Sequence, residues 1–271
     1  MVTLDDAGRD APDLIFVDSL PLLAPFVEHA WVQARCTPST ASAARRVVPD
    51  PSAHLVIVVS RDGRTRGHLV GSRTTFCDIE TDRRFTIGIR LRPGTVPLLT
   101  RTSARELVDR GMPLSDVLPE TDRAFDQASA GRAHEALGTL LHTLSEHLQA
   151  AGAPDWRVRA VDALWRNPRA PRGVASSARH LGLASRTLHE VASAEVGLSP
   201  SFWQRIVRLH GSIRLALTEP DRSLARVAAA AGYHDQSHMA REFRDLVGEA
   251  PTTFLGRGSC RSVQGKPRPE R

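Results

Sequence analysis

The most informative segment of the sequence lies near its end and reads Gly232-Tyr-His-Asp-Gln-Ser-His-Met-Ala-Arg-Glu-Phe-Arg-Asp-Leu-Val-Gly248-Glu-Ala-Pro251. Asp235 is a residue type that caps the first turn of a helix, and the apolar Met239 and Phe243 follow four residues apart. This pattern predicts an amphipathic helix over residues 236–247. Gly232, in front of it, suits the positive φ of a tight turn between two helices. The stretch therefore predicts the second helix of a helix-turn-helix unit.

The same pattern occurs about fifty residues earlier, which indicates an internal duplication. The turn residues recur at matching positions, which are Gly182 and Gly232, Gly197 and Gly248, and Pro200 and Pro251. Ala178 and Ala228 are small residues that let the first helix of each unit cross its partner closely. A helical pattern over residues 201–217 joins the units. We therefore expect an all-α domain of two helix-turn-helix units joined by a long helix, with one face of each second helix free for a DNA groove.

Positive charge concentrates on the duplicated part of the chain. The 271 residues carry a formal net charge of +6, yet residues 1–154 hold 17 arginines against 19 acidic residues. Residues 155–256 hold 14 arginines against 10 acidic residues, and residues 257–271 hold five basic residues against one acidic residue. A basic balance favours a polyanionic partner. We therefore expect DNA contact from the duplicated part, added non-specific affinity from a mobile basic tail over residues 257–271, and a first half that faces away from DNA.

Other features argue against a membrane protein and against a disulfide-stabilised secreted protein. No segment reaches the roughly 20 apolar residues of a spanning helix, and the acidic residues 1–13 lack the pattern of a secretion signal. The three cysteines, Cys36, Cys77 and Cys260, are far apart and form no Cys-x-x-Cys motif, which is typical of a reducing compartment. We expect a cytoplasmic protein without membrane contact.

The first half has the pattern of short strands followed by helices. Residues 54–59 form a β-branched run, and residues 84–92 alternate apolar and polar side chains. Further strand patterns cover residues 67–70 and 74–80, and helical patterns cover residues 96–110, 121–130 and 134–149. Closely spaced strands favour a small antiparallel sheet or barrel with helices, so the whole chain is predicted to be α+β. We expect an N-terminal domain over residues 1–150.

Five leucines form one stripe on the helix predicted over residues 134–149, and they are Leu137, Leu140, Leu141, Leu144 and Leu148. The stripe packs either on its own domain or on a second subunit. The same helix carries His134, His142 and His147, whose spacing does not bring them to one face. His234 and His238 lie four residues apart but lack a third ligand nearby. No metal and no cofactor are therefore expected.

The stretch from residue 232 to residue 251 resembles the signature of AraC/XylS-type bacterial transcription regulators. It has an aromatic residue after glycine, then Asp-Gln-Ser-His, Arg-x-Phe-Arg and Gly-x-x-Pro at fixed offsets. The resemblance implies a double helix-turn-helix DNA-binding domain over residues 155–256, with DNA-reading side chains on the exposed face of each second helix. In the second unit the matching residues are Gln236, Ser237, His238 and Arg241, with Arg244 on a phosphate. In the first unit they are Arg186, His189 and Glu190.

The chemistry of these residues fits base reading in the second unit better than in the first. Glutamine and arginine can form bidentate hydrogen bonds to adenine and guanine. The first unit departs from the family pattern, since Glu190 stands where a basic residue is usual, Ala192 where a phenylalanine is usual, and Ala184 where a serine is usual. Ser185 could cap the helix instead of Ala184. We expect the first unit to read fewer bases than the second, or to bind with less affinity.

The N-terminal half carries a second resemblance. The run Ile87-Gly-Ile-Arg-Leu-Arg-Pro-Gly94 and the segments after it resemble the N-terminal domain of a subgroup of the same regulators. This resemblance implies a cupin-like domain that senses an effector, dimerises, or both. The chain is thus expected to be a sequence-specific regulator and not an enzyme. Its expected partner is double-stranded DNA, and a small-molecule effector, a second copy of the chain and RNA polymerase are further candidates.

Two other functions stay open. A DNA-bound enzyme would use Cys36 or Cys77 as an alkyl acceptor, although the chain shows no P-loop, no Gly-x-Ser-x-Gly and no His-x-His cluster. A protein-interaction module would have lost DNA binding, which is suggested only by Glu190 and Ala192.

Overall fold

The computed structural model describes residues 14–17, 21–34, 45–79, 83–167 and 173–256. The strands in these residues are β1 (Leu14–Val17), β2 (Val27–Ala34), β3 (Arg45–Val47), β4 (His54–Ser60), β5 (Thr65–Val70), β6 (Cys77–Ile79), β7 (Arg83–Leu91) and β8 (Gly111–Pro113). The helices are α1 (Val96–Thr100), α2 (Asp122–Ser129), α3 (Ala133–Ala151), α4 (Trp156–Arg166), α5 (Val174–His180), α6 (Ser185–Val191), α7 (Pro200–Thr218), α8 (Leu224–Ala231), α9 (Gln236–Val247) and α10 (Pro251–Gly256).

The first half is built on an antiparallel sheet. Six strands follow the order β1-β2-β7-β4-β5-β8, and β3 pairs with β6 in a separate two-stranded sheet. At the centre Ile57 lies opposite Ile87, and Leu55 lies opposite Ile89. All four side chains are buried, because alternate residues of each strand point to the face that α2 and α3 cover. The sheet with its helices confirms the predicted α+β class.

The leucine stripe of α3 belongs to the core of this first half. Its five members are buried in one cluster with the central strands, and they are Leu137, Leu140, Leu141, Leu144 and Leu148. His134 and His142 lie on the exposed side of the helix. Packing of the stripe on its own sheet is therefore the correct one of the two interpretations.

Helix α7 connects the two cores of the second half. Its residues Trp203 and Ile206 pack with α4, α5 and α6 in the first core. Its residues Leu209 and Ile213 pack with α8 and α9 in the second core. One continuous helix therefore supplies apolar side chains to both units, and it fixes the distance between them.

The turn prediction is confirmed in both units. Gly182 has φ of 67° and Gly232 has φ of 92°, a region that disfavours residues with a side chain. Ala178 and Ala228 are buried in the respective cores, so the first helix of each unit lies close to its partner. The second half thus contains the two predicted helix-turn-helix units joined by α7.

One predicted helix is wrong. Residues 96–110 do not form a single helix, because α1 ends at Thr100 and Arg101 takes a left-handed φ of 57°. A separate 3-10 turn follows at Ala104–Leu107, and the Ser103 hydroxyl caps it by accepting a hydrogen bond from the N–H of Arg105. The local turn chemistry of serine therefore interrupts the helical pattern.

Several other elements differ from the sequence pattern. The strand predicted over residues 74–80 is limited to β6 in the described chain, and β1, β2, β3, β8 and α10 have no predicted counterpart. Cys36, Cys260 and the basic tail over residues 257–271 lie outside the described residues. Among the helices that the structure describes, none combines the length and the apolar content needed to cross a membrane.

Candidate nucleic-acid interface

The second helix of the second unit, α9, has one apolar face and one exposed polar face. Met239 and Phe243 are buried in the core of the unit. The predicted DNA-reading residues Gln236, Ser237 and Arg241 are exposed on the other face. Arg244, predicted to contact a phosphate, is exposed as well. The structure therefore brings these four predicted residues together on one accessible side of α9.

Asp235 fixes the start of this helix, as predicted. Its carboxylate accepts a hydrogen bond of 2.6 Å from the backbone N–H of His238. The pKa of Asp235 lies below its ordinary value because of this backbone hydrogen bond and a further one from the ring of His234. The first turn of α9, which carries Gln236 and Ser237, is thus held by an ionised N-cap.

His238 is placed differently from its neighbours on α9. Its ring packs edge-on against Tyr233 with 5.4 Å between the ring centroids. Its Nε2 lies 3.5 Å from the buried carboxylate of Glu242, and the side chain is 38% exposed. His238 is therefore partly engaged inside the unit, whereas the other predicted residues of α9 point to solvent.

Glu242 is a buried acidic residue of α9 that the sequence pattern does not single out. It is 4% exposed, and its two carboxylate oxygens accept hydrogen bonds of 2.6 and 3.0 Å from Arg208 on α7. Arg205 on α7 lies 3.6 Å from the same carboxylate. These contacts fix α9 on the joining helix. Arg205 and Arg208 lie one turn apart on α7. This spacing is the sequence signal that could have indicated their ion pairs with Glu242.

The second helix of the first unit, α6, also presents its predicted residues to solvent. The side chain of Arg186 is 89% exposed and that of Glu190 is 61% exposed, and the two form an ion pair of 2.8 Å. The pKa of Arg186 is raised by its hydrogen bond to Glu190 and by the charge of that carboxylate. His189 is exposed beside them. The exposed arginine of the first unit therefore already has a carboxylate partner.

The core of the first unit contains an alanine where a phenylalanine is usual. Ala192 is fully buried in it. Trp165 and Trp203 belong to the same core and form an edge-on pair with 5.0 Å between their ring centroids. Ala184 is the N-cap of α6 and makes no side-chain cap hydrogen bond, so the expected alternative cap by Ser185 is not formed.

Sites for metal or thiol chemistry find little support in the described part of the chain. No group of three or more His, Cys, Asp or Glu side chains there could hold a metal ion. Cys77 lies in β6, and burial raises the pKa of its thiol. A thiol with a raised pKa is a poor nucleophile at neutral pH. Cys36, the other candidate alkyl acceptor, lies outside the described residues.

Comparison with known proteins gives matches for both halves of the chain. Residues 177–257 match a family described as a helix-turn-helix domain. Residues 18–113 match a domain of unknown function, DUF6597. The transcriptional activator NphR of a Rhodococcus species is 32% identical over 146 residues, which is 51% of this chain and 42% of NphR. The chain therefore spans about two fifths of the length of this curated relative.

Two solved structures give weaker likenesses. A probable AraC family transcriptional regulator from Rhodopseudomonas palustris is 24% identical, with a TM-score of 0.33, over 39% of this chain and 99% of that chain. ToxT from Vibrio cholerae is 9% identical, with a TM-score of 0.44, over 84% of this chain and 96% of that chain.

Proposed function

We propose that this chain is an AraC/XylS-type regulator that binds DNA sequence-specifically, a proposal supported by the match of residues 177–257 to a helix-turn-helix domain family. One observation carries the proposal: the structure contains two helix-turn-helix units whose second helices, α6 and α9, each bury an apolar face and expose a polar one. An exposed polar face on a rigidly seated second helix is what the major groove of DNA accepts. The net positive charge of this half supports the same partner.

The joining helix has a length that suits two contacts on one DNA duplex. Helix α7 has 19 residues, which corresponds to about 28 Å at 1.5 Å per residue. Successive major-groove segments on one face of B-DNA lie about 34 Å apart. One chain would therefore cover about two helical turns of DNA, with α6 in one groove segment and α9 in the next.

The roles proposed for individual residues follow from their chemistry and exposure. Gln236 and Arg241 read bases, because their side chains can form two hydrogen bonds to adenine and guanine. Ser237 and Arg244 contact phosphates or bases at the two ends of the α9 face. In the first unit Arg186, His189 and Glu190 face the groove, and His238 reads a base only if its ring leaves Tyr233 and Glu242.

The remaining proposals concern the N-terminal half and the partners. We propose that residues 1–150 form a domain that senses an effector, joins a second copy, or does both, and that residues 155–256 form the DNA-binding domain. RNA polymerase is a further proposed partner, and the cytoplasm is the proposed compartment. We also propose that the chain has no enzymatic activity, which the raised pKa of the Cys77 thiol supports.

The proposal is tested by selecting genomic fragments that bind the purified chain, then mapping protected major-groove positions by methylation protection and protected backbone positions with hydroxyl radicals. We expect protection in two adjacent major-groove segments. Arg241→Ala and Gln236→Ala should each weaken binding by about 1–3 kcal/mol. Arg64→Ala is the matched control, since Arg64 is an exposed arginine in the β4–β5 turn of the first half.

Three outcomes would contradict the proposal. Selection of no fragment would contradict DNA binding, and protection of a single groove segment would contradict the two-unit arrangement. Equal binding by the Arg241 variant and the Arg64 control would contradict the site assignment. An alkyl adduct on Cys36 or Cys77 after exposure to alkylated DNA, measured by mass spectrometry, would favour the enzyme instead.

A further inference from the structure

We infer that the N-terminal half clamps the C-terminal ends of both recognition helices and so sets the angle between the two helix-turn-helix units. The clamp consists of Arg46, Ser72, Phe76, Ser103 and Val108. It touches the first unit where α6 ends and the second unit where α9 ends. The effect of the clamp on DNA spacing rests on the proposed function, whereas its effect on the orientation of the two units does not.

The contact with the first unit is made to backbone carbonyls. Helix α6 continues into a π-helical turn over Ala192–Val196, whose last carbonyls lack partners within the helix. The hydroxyl of Ser72 donates a hydrogen bond of 2.6 Å to the carbonyl of Val196. The hydroxyl of Ser103 donates one of 3.2 Å to the carbonyl of Ala194. Two side chains of the first half therefore donate hydrogen bonds to backbone carbonyls at the end of the first recognition helix.

The contact with the second unit has the same form. The guanidinium of Arg46 donates a hydrogen bond of 3.2 Å to the carbonyl of Val247, the last residue of α9. The same guanidinium is held by Asp78 through two hydrogen bonds of 2.9 Å. Val48, next to β3, is fully buried in the core of the second unit. The first half therefore caps the second recognition helix and also contributes to its core.

The two contacts fall at equivalent points of the internal repeat. Gly197 ends the first unit with φ of 85°, and Gly248 ends the second with φ of 82°. A Cβ atom at Gly197 would lie 2.6 Å from Val108, and a Cβ atom at Gly248 would lie 2.6 Å from Phe76. Both glycines are thus pressed against the N-terminal half. Because the N-terminal half contacts both repeated units at the same position, it determines how one unit is rotated relative to the other.

Backbone hydrogen bonds connect the segments that carry the clamp residues. The backbone of Asp50 pairs with that of Arg73 through hydrogen bonds of 3.1 and 2.8 Å, which joins the segment of Arg46 to the segment of Ser72. The backbone N–H of Asp109 donates a hydrogen bond of 2.8 Å to the carbonyl of Ser72, which joins the segment that follows Ser103. These hydrogen bonds link the contact with the first unit to the contact with the second unit within the N-terminal half, independently of α7.

The consequence for DNA is a fixed spacing. Each base pair inserted between two half-sites rotates one relative to the other by about 34°. A chain with α7 alone between its units could absorb part of this rotation by bending. A chain whose two recognition helices are also held at their C-terminal ends cannot, so it should discriminate strongly between spacings.

The experiment compares the full chain with Ser72→Ala/Ser103→Ala and with Arg46→Ala, on selected operators carrying zero, one or two extra central base pairs. We expect the unaltered chain to lose affinity by about tenfold or more for each added base pair. The clamp variants should lose less than about threefold, with near-normal affinity for the original spacing. Ser115→Ala and Arg64→Ala, exposed residues of the first half outside the clamp, are the matched controls and should behave like the unaltered chain.

A second readout requires no DNA. Amide hydrogen exchange of the peptides around residues 192–198 and 244–250 should accelerate in the clamp variants and stay unchanged in the controls. Arg46→Lys and Ser72→Thr, which keep a donor, should restore slow exchange. Equal spacing dependence together with equal exchange in clamp variants and controls would overturn the inference. If no DNA fragment is selected, the proposed function fails, and hydrogen exchange still decides the clamp.

Discussion

Glu190 and Arg241 stand at corresponding positions of the repeat, fifty-one residues apart, and they give the two recognition helices opposite charge at that point. Arg241 is exposed on α9, and its long side chain can reach a base edge. Glu190 instead holds Arg186 through an ion pair of 2.8 Å. Exposed ion pairs of this kind contribute little to stability, about 0.3–0.5 kcal/mol on a helix. The main consequence of the pair is therefore that the guanidinium of Arg186 is already engaged by a carboxylate.

Replacing Glu190 by glutamine should strengthen DNA binding. The substitution removes a negative charge from the solvent-exposed side of α6 and frees the guanidinium of Arg186 for a phosphate. We expect affinity to rise by about two- to tenfold at low salt, and the slope of log affinity against log salt to steepen by about 1. Electrophoretic mobility shifts over a series of salt concentrations measure both quantities.

The control for this substitution is Glu106→Gln, which removes one exposed carboxylate from the first half. It should leave the salt slope unchanged. If Glu190→Gln gives the same affinity and slope as the control, α6 does not approach the phosphate backbone, and the first unit serves only to seat the second.

Helical spacing predicts most of the exposed face of α9 from the sequence but not all of it. Helical spacing correctly predicts which residues of α9 are exposed, because Met239 and Phe243 identify the buried face. The same spacing puts His238 on the exposed face, where Tyr233 and Glu242 in fact engage its ring. That contact depends on Arg208, which holds Glu242 from another helix, and no local pattern reports a partner thirty-four residues away.

At the scale of elements, the start of a recognition helix differs between the two units. The N-cap of α9 is Asp235, whose carboxylate accepts a hydrogen bond of 2.6 Å from the N–H of His238. The N-cap of α6 is Ala184, which has no side-chain oxygen to offer, although its φ of −68° and ψ of 144° are those of an ordinary N-cap. The geometry for a cap therefore exists at α6 without the residue that would use it.

Asp235→Ala should destabilise the second unit by about 1 kcal/mol, because the orphan N–H groups of the first turn lose their acceptor. Urea unfolding followed by circular dichroism measures the change. Ser223→Ala is the matched control, since Ser223 is the N-cap of α8 but makes no side-chain cap hydrogen bond. The Ser223 variant should be nearly neutral, and an equal loss in both variants would show that the Asp235 cap contributes nothing.

Ala184→Ser should have the reverse effect on the first unit. A serine hydroxyl at this N-cap can accept from the N–H groups of the first turn, and we expect a gain of about 0.5–1 kcal/mol in the free energy of unfolding. Ala175→Ser, at an exposed position inside α5, is the control and should not stabilise the chain. A gain confined to the control would contradict the cap geometry.

The elements that the sequence predicts well are those with a strong local period. The bounds of α9 agree with the prediction, because an N-cap, an apolar stripe and a terminal glycine all coincide there. Strand β2 is missed because Glu28 and His29 break its apolar pattern. Glu28 is tolerated in the sheet because Arg90 of β7 and Arg166 of α4 each form an ion pair of 2.8 Å with it, and Arg166 comes from the other half of the chain.

At the scale of the whole molecule, buried charges join the two halves. Arg90 lies 1% exposed in β7, where it pairs with Asp50 and holds Glu28 at 2.8 Å. Arg166 extends the network into α4, where it also pairs with Asp162 at 2.7 Å. Such a network stabilises little compared with apolar packing of the same volume, but removal of one partner leaves an uncompensated charge. It therefore specifies how the halves meet.

Histidines beside this network make the stability of the fold depend on pH, and of these His54 is buried whereas His29 and His210 are half-buried. The ring of His210 on α7 donates a hydrogen bond of 2.7 Å to the carbonyl of Pro49. Burial lowers the pKa of His210 to about 4. Burial likewise lowers the pKa of His54 well below its usual value, and burial together with the charge of Arg90 lowers that of His29 to about 3. All three are thus neutral in the folded chain at neutral pH.

The carboxylates of the network act in two directions. Burial opposes the ionisation of Glu28, but the neighbouring Arg90 and Arg166 lower its pKa below the ordinary value. Stability from Glu28 is therefore lost only at a pH below that of the histidine transitions. Burial raises the pKa of Asp162, so the folded chain takes up its proton more readily than the unfolded chain, which partly offsets the loss. Between pH 6.5 and 4, the histidines dominate.

The free energy of unfolding should fall steadily as the pH decreases from about 6.5 to about 4. In this range the unfolded chain binds protons on histidines whose ordinary pKa is about 6.5, while the folded chain does not. Each such histidine contributes a slope of up to about 1.4 kcal/mol per pH unit. His210→Gln keeps a donor for the Pro49 carbonyl but cannot bind the proton, so its slope should be smaller by about that amount. Urea unfolding at pH 7, 6, 5 and 4.5 measures this slope.

His142→Gln, at a side chain 73% exposed on α3, is the matched control. If the His210 and His142 variants keep the same slope as the unaltered chain, protonation of the half-buried His210 at the junction is not what weakens the fold in acid.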